Sequence, residues 1–137
     1  AHLPAYSSLI GPLKLSFSQF EELESFAKFR SSLDKETERQ LKRGRSIRAV
    51  MQQKQFNPVP VVDQIAVLLA TVEGIFDDVP DNLRDEAYDA VCNVMATECK
   101  PIADAVLNRE KLSSENKARL LAAFKDALVR EHIIKSV

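Results

Sequence analysis

Two primary amides set two residues apart, Gln53 and Gln55 in the stretch QQKQFNPVPVVDQ, are the side chains best suited to read the edge of a planar heterocycle. Each presents both a donor and an acceptor, which is what an adenine edge requires. On a continuing helix such a pair points to nearly opposite sides, so the two converge only where the helix ends. Pro58 supplies a reason for an end there: it biases Asn57 away from helical geometry and cannot continue the ladder itself. The plainer reading is an exposed turn, and composition favours it; the residue types alone stop at that point.

Other chemistries find less support. A phosphate-cradling loop needs closely spaced glycines, and the three present are Gly11, Gly44 and Gly74. His2 and His132 stand at opposite ends with no Cys, His or paired carboxylate at ligand spacing, so no metal site is expected. Cys92 sits in a helical apolar stripe without a partnering base, which reads as packing rather than nucleophilic catalysis. No catalytic residue is expected in this chain. The run Arg39, Lys42, Arg43, Arg45 and Arg48 could meet phosphates, yet Glu36 and Glu38 and the lack of stacking aromatics fit a solvated helix face instead, and nucleic acid is not an expected partner. The acidic turn Glu73, Asp77, Asp78 and Asp81 reads as a soluble loop, with Asp81 free to cap the next helix, or as a surface for a basic partner.

The elements that would position these residues are helices. Val61, Ile65, Leu68, Leu69, Val72 and Phe76 fall at helix spacing, as do Leu83, Ala87, Val91, Val94 and Met95, and Leu120, Leu121, Phe124, Ala127 and Leu128. Phe20, Leu23 and Ala27 mark an earlier helix whose start near residue 18 is signalled by Ser18 and Glu21, or one turn earlier by Ser16 and Gln19. Asp34 can cap a long polar helix carrying Leu41, Ile47, Val50 and Met51 on one side, in which Gly44 is unfavourable unless another backbone approaches. Ser113 can cap the last helix, with Glu115 in its first turn. Breaks fall at Pro58 and Pro60, around Pro80, and at Lys100-Pro101. No segment alternates with period two, so the expectation is an all-α bundle of five or six helices.

A chain of 137 residues with 45% hydrophobic and 28% charged residues has the size and composition of one globular domain, taken here as 1–137. No apolar run approaches the roughly 20 residues that cross a bilayer. Cys92 and Cys99, seven apart, would lie two turns apart on a helix, too far to bridge, and read as buried thiols in a reducing compartment. Residues 1–56 hold ten Lys/Arg against six Asp/Glu and residues 57–137 nine against fourteen, a mild asymmetry. The first residue is Ala rather than Met, and the chain reads as a piece of something longer.

From about Ser7 onward the chain resembles the C-terminal helical domain of the α subunit of F-type ATP synthase. The resemblance is carried by GPLKLSFSQFEELESFAKF, by SSLDKETERQLKRGRSIRAVMQQKQFNPVPVVDQIAVLLA with its Gln-x-Gln turn, by GIFDDVPDNL, and by LSSENKARLLAAFKDAL. The β subunit fits less well, because its Asp-Glu-Leu-Ser-Glu-Glu-Asp signature is absent. Arg30 stands where the family usually has Gly, Ser32 near a usual Asp, and Ile75-Phe76 at a usual Tyr-Leu pair. AHLPAY at residues 1–6 matches poorly, and the tail 130–137 runs beyond the resemblance.

The resemblance implies a part of a rotary, proton-translocating ATP synthase, peripheral on the cytoplasmic face of a bacterial inner membrane, or in a mitochondrial matrix or chloroplast stroma. Its implied partners are the β subunits and the central-stalk γ subunit, with no insertion into the membrane. Gln53 and Gln55 take the positions that lie against the adenine of the noncatalytic nucleotide site. Glu73, Asp77, Asp78 and Asp81 form the turn placed towards the stalk. The ligand is ATP or ADP with Mg in the full-length subunit; the phosphate loop and magnesium ligands lie upstream of residue 1, so the isolated chain is expected to bind no nucleotide and to be non-catalytic. The alternative is a free-standing helical interaction module derived from this domain.

Overall fold

The computed structural model describes residues 3–29, 32–56 and 60–135, and of residues 53–56 the backbone only. These form α1 (Pro4–Ala27), α2 (Lys35–Phe56), α3 (Val61–Val72), α4 (Arg84–Ala96, entered through a 3-10 turn at Asp81–Leu83), α5 (Lys100–Leu107) and α6 (Ser114–Arg130). The all-α expectation is borne out, with six α-helices and no strand among the described residues.

α1 begins at Pro4, far ahead of the expected start near residue 18. Pro4 opens the helix where its missing N–H costs nothing. Ala5, Leu9 and Leu13 then recur every four residues as a buried stripe. Two fully buried leucines contribute about 1.5–3 kcal/mol each, enough to outweigh the roughly 3 kcal/mol that Pro12 costs inside the helix. The Ser18 capping signal is overridden by the same burial, and the lead-in places Ala5 and Tyr6 in the core.

Two expected caps are present. The Thr37 N–H donates to Asp34 Oδ1 at 2.7 Å, and the Asn116 N–H donates to Ser113 Oγ at 3.1 Å. Asp81 is a correction: it lies inside the 3-10 turn, its carboxylate accepts from Arg84 Nε at 3.1 Å, and no side chain caps α4.

Three helices close with the same local knot, in which the second residue past the cap donates back five positions and the first donates to the carbonyl three before it. After α3 these bonds are Ile75 N–H to Ala70 O at 2.9 Å and Gly74 N–H to Thr71 O at 3.2 Å. After α5 they are Glu110 to Ala105 and Arg109 to Val106, both 3.1 Å; after α6, Ile133 to Leu128 at 2.9 Å and His132 to Val129 at 3.0 Å. The pivotal residues Gly74, Arg109 and His132 have φ of 86°, 67° and 60°.

One hydrophobic cluster draws on all six helices. α3 is its axis, with Ile65, Ala66, Leu68, Leu69, Ala70 and Thr71 buried, and it packs against α1, α2, α4 and α5, while α6 lies on α4. α2 meets α1 at Gly44, where the aromatic side chain of Phe20, rather than a backbone, occupies the space a Cβ would need; that Cβ would stand 2.6 Å from Phe20 Cβ. Replacing Gly44 by Ala gains about 1 kcal/mol of helix propensity but forces Phe20 aside at about 1–3 kcal/mol. Urea unfolding of the Gly44→Ala chain is therefore expected to show a net loss of stability, and a gain would mean that α1 and α2 are not in contact there.

Candidate functional site

α2 continues unbroken to Phe56, so the backbone of Gln53 and Gln55 belongs to its last turn. The side chains of both lie outside the described residues, as do Asn57 and Pro58, His2 and Arg30.

The acidic turn after α3 is resolved into different roles. Phe76 is fully buried and packs edge to face on Tyr88, with ring centroids 5.1 Å apart. Beside it, Asp77 turns inward, and both its carboxylate oxygens accept from Arg43 Nε at 3.0 Å. Arg43 Nη1 also donates to the Val72 carbonyl at 2.9 Å, one of the acceptors left open at the end of α3. The pair is largely enclosed, with Arg43 30% and Asp77 11% exposed. Burial pushes the Asp77 carboxyl up, and the Arg43 hydrogen bonds and charge oppose that shift.

Asp78 points outward and meets Lys42 at 3.0 Å, with the two side chains 77% and 52% exposed. Glu73 and Asp81 are exposed as well. Glu73, Ile75, Asp78 and Pro80 border a cleft of about 670 Å³ whose far side carries Lys125, Ile133, Ile134 and Lys135.

The basic run of α2 is largely committed to partners. Besides Lys42 and Arg43, Arg39 Nη2 donates to both oxygens of Glu36 at 2.8 Å, and Arg48 pairs with Glu24 at 2.8 Å while lying over the Phe20 ring. Four of the five residues read as a possible phosphate surface, Arg39, Lys42, Arg43 and Arg48, are thus paired with carboxylates of the same chain. A cleft of about 510 Å³ between α1 and α2 rests on Phe20, Leu23 and Ile47 and is rimmed by Gln19, Gln40 and the Glu36–Arg39 pair.

No group of three His, Cys, Asp or Glu among the described residues could hold a metal ion. Cys92 and Cys99 are both free. α4 stops at Ala96, so Cys99 sits in the following turn rather than two helical turns along, which corrects the spacing argument while leaving the thiols unbridged. Burial, with the negative charges of Asp63 and Asp89 second, pushes the Cys92 thiol up to about 12, which removes it as a nucleophile near neutral pH. No helix among the described residues is long and apolar enough to cross a membrane.

Arg43 is the residue whose importance the sequence concealed. Its signal was present in two halves, a basic run on α2 and an acidic turn 34 positions later, but nothing in either half says that one member of each is enclosed with the other.

Residues 3–127 match the family described as ATP synthase alpha/beta chain, C terminal domain. The chain belongs to this family. Within it the similarity runs to alpha subunits: 39% identity over 129 residues with ATP synthase subunit alpha 2 of Syntrophus aciditrophicus (strain SB), covering 94% of this chain and 25% of that one. ATP synthase subunit alpha 1 of Shewanella frigidimarina is 38% identical over 128 residues, with 93% and 25% coverage. ATP synthase subunit alpha 2 of Polaromonas naphthalenivorans is 40% identical over 128 residues, with the same coverage. The chain is a C-terminal domain of the alpha-subunit type and spans about a quarter of the length of these curated relatives.

Within this alpha-subunit domain the Arg43 fork and the Lys42 pair separate by energy. Arg43→Met leaves Asp77 enclosed without its donor and the Val72 carbonyl open; because Arg43 keeps some solvent contact, the expected loss is about 2–3 kcal/mol rather than that of a sealed pair. Lys42→Ala removes a solvated pair and is expected to cost less than about 1 kcal/mol. Urea midpoints for the two variants check the order, and equal losses would show that the fork is as weak as the exposed pair.

Cys92 yields a pH dependence. Its folded value of about 12 lies above its ordinary 9.0, so folding holds the proton; the stability this contributes is complete below pH 9 and is lost as pH rises towards 12. The Cys92→Ala variant is expected to show a flatter alkaline limb in stability against pH than the parent chain, and an unchanged limb would place the titration elsewhere.

Proposed function

We propose that this domain serves as one wall of a noncatalytic nucleotide site in an ATP synthase alpha subunit and as part of the collar around the rotating central stalk. The observation that carries this reading is the match along nearly the whole chain to alpha subunits. The backbone of Gln53 and Gln55 lies in the last turn of α2, and because the helix runs on to Phe56 the convergence expected of a helix ending at this pair is not met by the backbone there.

The division of labour follows from magnitudes. Two amide hydrogen bonds of about 1 kcal/mol each orient an adenine but cannot retain a nucleotide alone. Phosphates and Mg are held by the rest of the subunit, and the helical domain contributes base recognition. Glu73, Asp78 and Asp81 offer exposed carboxylates to a basic stalk surface through weak, screened contacts that permit sliding. Asp77 stands behind them and supports the turn from within.

In this reading the beta subunits and the stalk subunit are the partners, the complex is peripheral on a proton-translocating membrane, and the complex carries out the ATP synthesis. The isolated chain performs no turnover.

The test is to separate native complexes from source cells and map peptides of this chain. They are expected in the same large species as beta-subunit peptides, and a free species near 15.4 kDa would favour a separate interaction module instead. The purified chain alone is expected to release no phosphate from MgATP, and turnover in a pure preparation would overturn the assignment of a wall without chemistry.

A further inference from the structure

Two glycines lie inside helices, and their surroundings differ. At Gly44 the ring of Phe20 takes the space of a Cβ, whereas a Cβ at Gly11 would meet nothing within 4 Å. A helical glycine is disfavoured against alanine, and at Gly11 nothing among the described residues offsets that. The same helix carries unusual apolar exposure. Three of the five large hydrophobic side chains exposed among the described residues lie on α1 or in the turn after it: Leu15 at 61%, Phe26 at 55% and Phe29 at 89%. At about 100° per residue, Gly11, Leu15, Glu22 and Phe26 fall within about 60° of one another around α1, on the side away from buried Leu9, Leu13 and Phe20.

We infer that this stripe is a self-association surface, on which a second copy of the chain packs its own α1 antiparallel about a two-fold axis. The inference concerns the chain by itself and does not depend on the nucleotide-wall reading.

The charges of α1 select the second copy and its direction. Lys14 is the one charged residue of Pro4–Phe20, while residues 21–27 carry Glu21, Glu22 and Glu24 and no cation. A parallel pair would set these carboxylates against one another, and an antiparallel pair sets the cationic half of each helix against the acidic half of the other. The spacing agrees. Gly11 precedes Leu15 by four residues and Glu22 precedes Phe26 by four, so the register that lays Phe26 over the partner's Gly11 also lays Leu15 along the methylenes of the partner's Glu22. Lys14 then stands within one residue, about 1.5 Å along the axis, of the partner's Glu22. Lys14 and Glu22 are both exposed, and neither is in an ion pair among the described residues. The two-fold makes each contact twice and closes the assembly at two copies. A phenylalanine ring over a helical glycine is also the device by which this fold joins α1 to α2 at Phe20 and Gly44. A strip about 36 Å long and 10 Å wide covers about 360 Å² per copy, less than half of what a stable interface buries on each side, so the dimer is weak and reversible, with an affinity between micromolar and millimolar.

The experiment is sedimentation equilibrium of the purified chain from about 10 μM to about 1 mM. The weight-average mass is expected to rise from 15.4 kDa towards twice that value and to stop there. A monomer throughout overturns the inference, and so does growth beyond two copies, which a closed two-fold contact forbids. Two variants separate this packing from mere stickiness. Gly11→Leu fills the notch on an open face; it is expected to weaken association at least about tenfold without lowering the unfolding midpoint, whereas a merely apolar patch would associate more tightly with a leucine added. Lys14→Glu turns two attractive contacts repulsive and is expected to weaken association about fivefold, and adding Glu22→Lys to it is expected to restore the parent affinity. Equal affinity in the parent, Lys14→Glu and the double variant overturns the antiparallel register. In the assembled complex, a photo-crosslinker at residue 15 that captures only a different chain, together with a monomeric isolated chain, gives the face to that neighbour and removes the second copy.

Discussion

Arg43 joins the most polar helix of the chain to the most apolar one. α3 ends with open backbone carbonyls and a partial negative charge, and the turn after it brings Asp77 to the same place. A single guanidinium satisfies the Val72 carbonyl and both carboxylate oxygens at once. Removing the guanidinium leaves the carboxylate and the carbonyl without their donor, so Arg43 ties the packing of α2 on α3 to the inward turn of Asp77. The fork also explains how a helix so rich in charge lies against the core: Arg39, Lys42 and Arg48 meet carboxylates nearer the surface, and Arg43 is enclosed with its acceptors.

In the proposed reading the work of this domain is support. Its cysteines are unbridged, Cys92 is held protonated by burial, and the described carboxylates with close partners are engaged in pairs within the chain rather than gathered around a reaction centre. The alpha subunits it resembles are about four times as long as the matched segment.

Periodicity made the helices of the middle and C-terminal part legible, because Ile65, Leu68 and Leu69, or Leu120, Phe124 and Leu128, announce a buried face without reference to anything distant. The caps at Asp34 and Ser113 were legible for the same reason: a side chain three residues from its partner needs no tertiary information. The start of α1 is not legible locally, because Ser18 and Pro12 speak against the helix, whereas Leu9 and Leu13 speak for it only once there is a core to bury them in. Asp81 has the residue type and position of a cap, but Pro80 leads into a 3-10 turn and Arg84 takes the carboxylate. Gln53 and Gln55 drew notice through their residue types, but the chemistry implied for them comes from the resemblance to alpha subunits. The two partners of Gly44 and of Arg43 lie 24 and 34 positions away, distances over which a pattern of residue types carries no pairing information.

The backbone knots that finish α3, α5 and α6 have a further consequence. Each is tied from residues within six positions of one another, so the point at which the helix stops is metered by its own sequence and not by whatever follows. Residues gained or lost between Glu110 and the Ser113 cap would change the span from α5 to α6 without rotating the phase of either apolar stripe. Drift in the length of that connection can therefore accumulate on the outer surface of the domain while the register of the core stays the same.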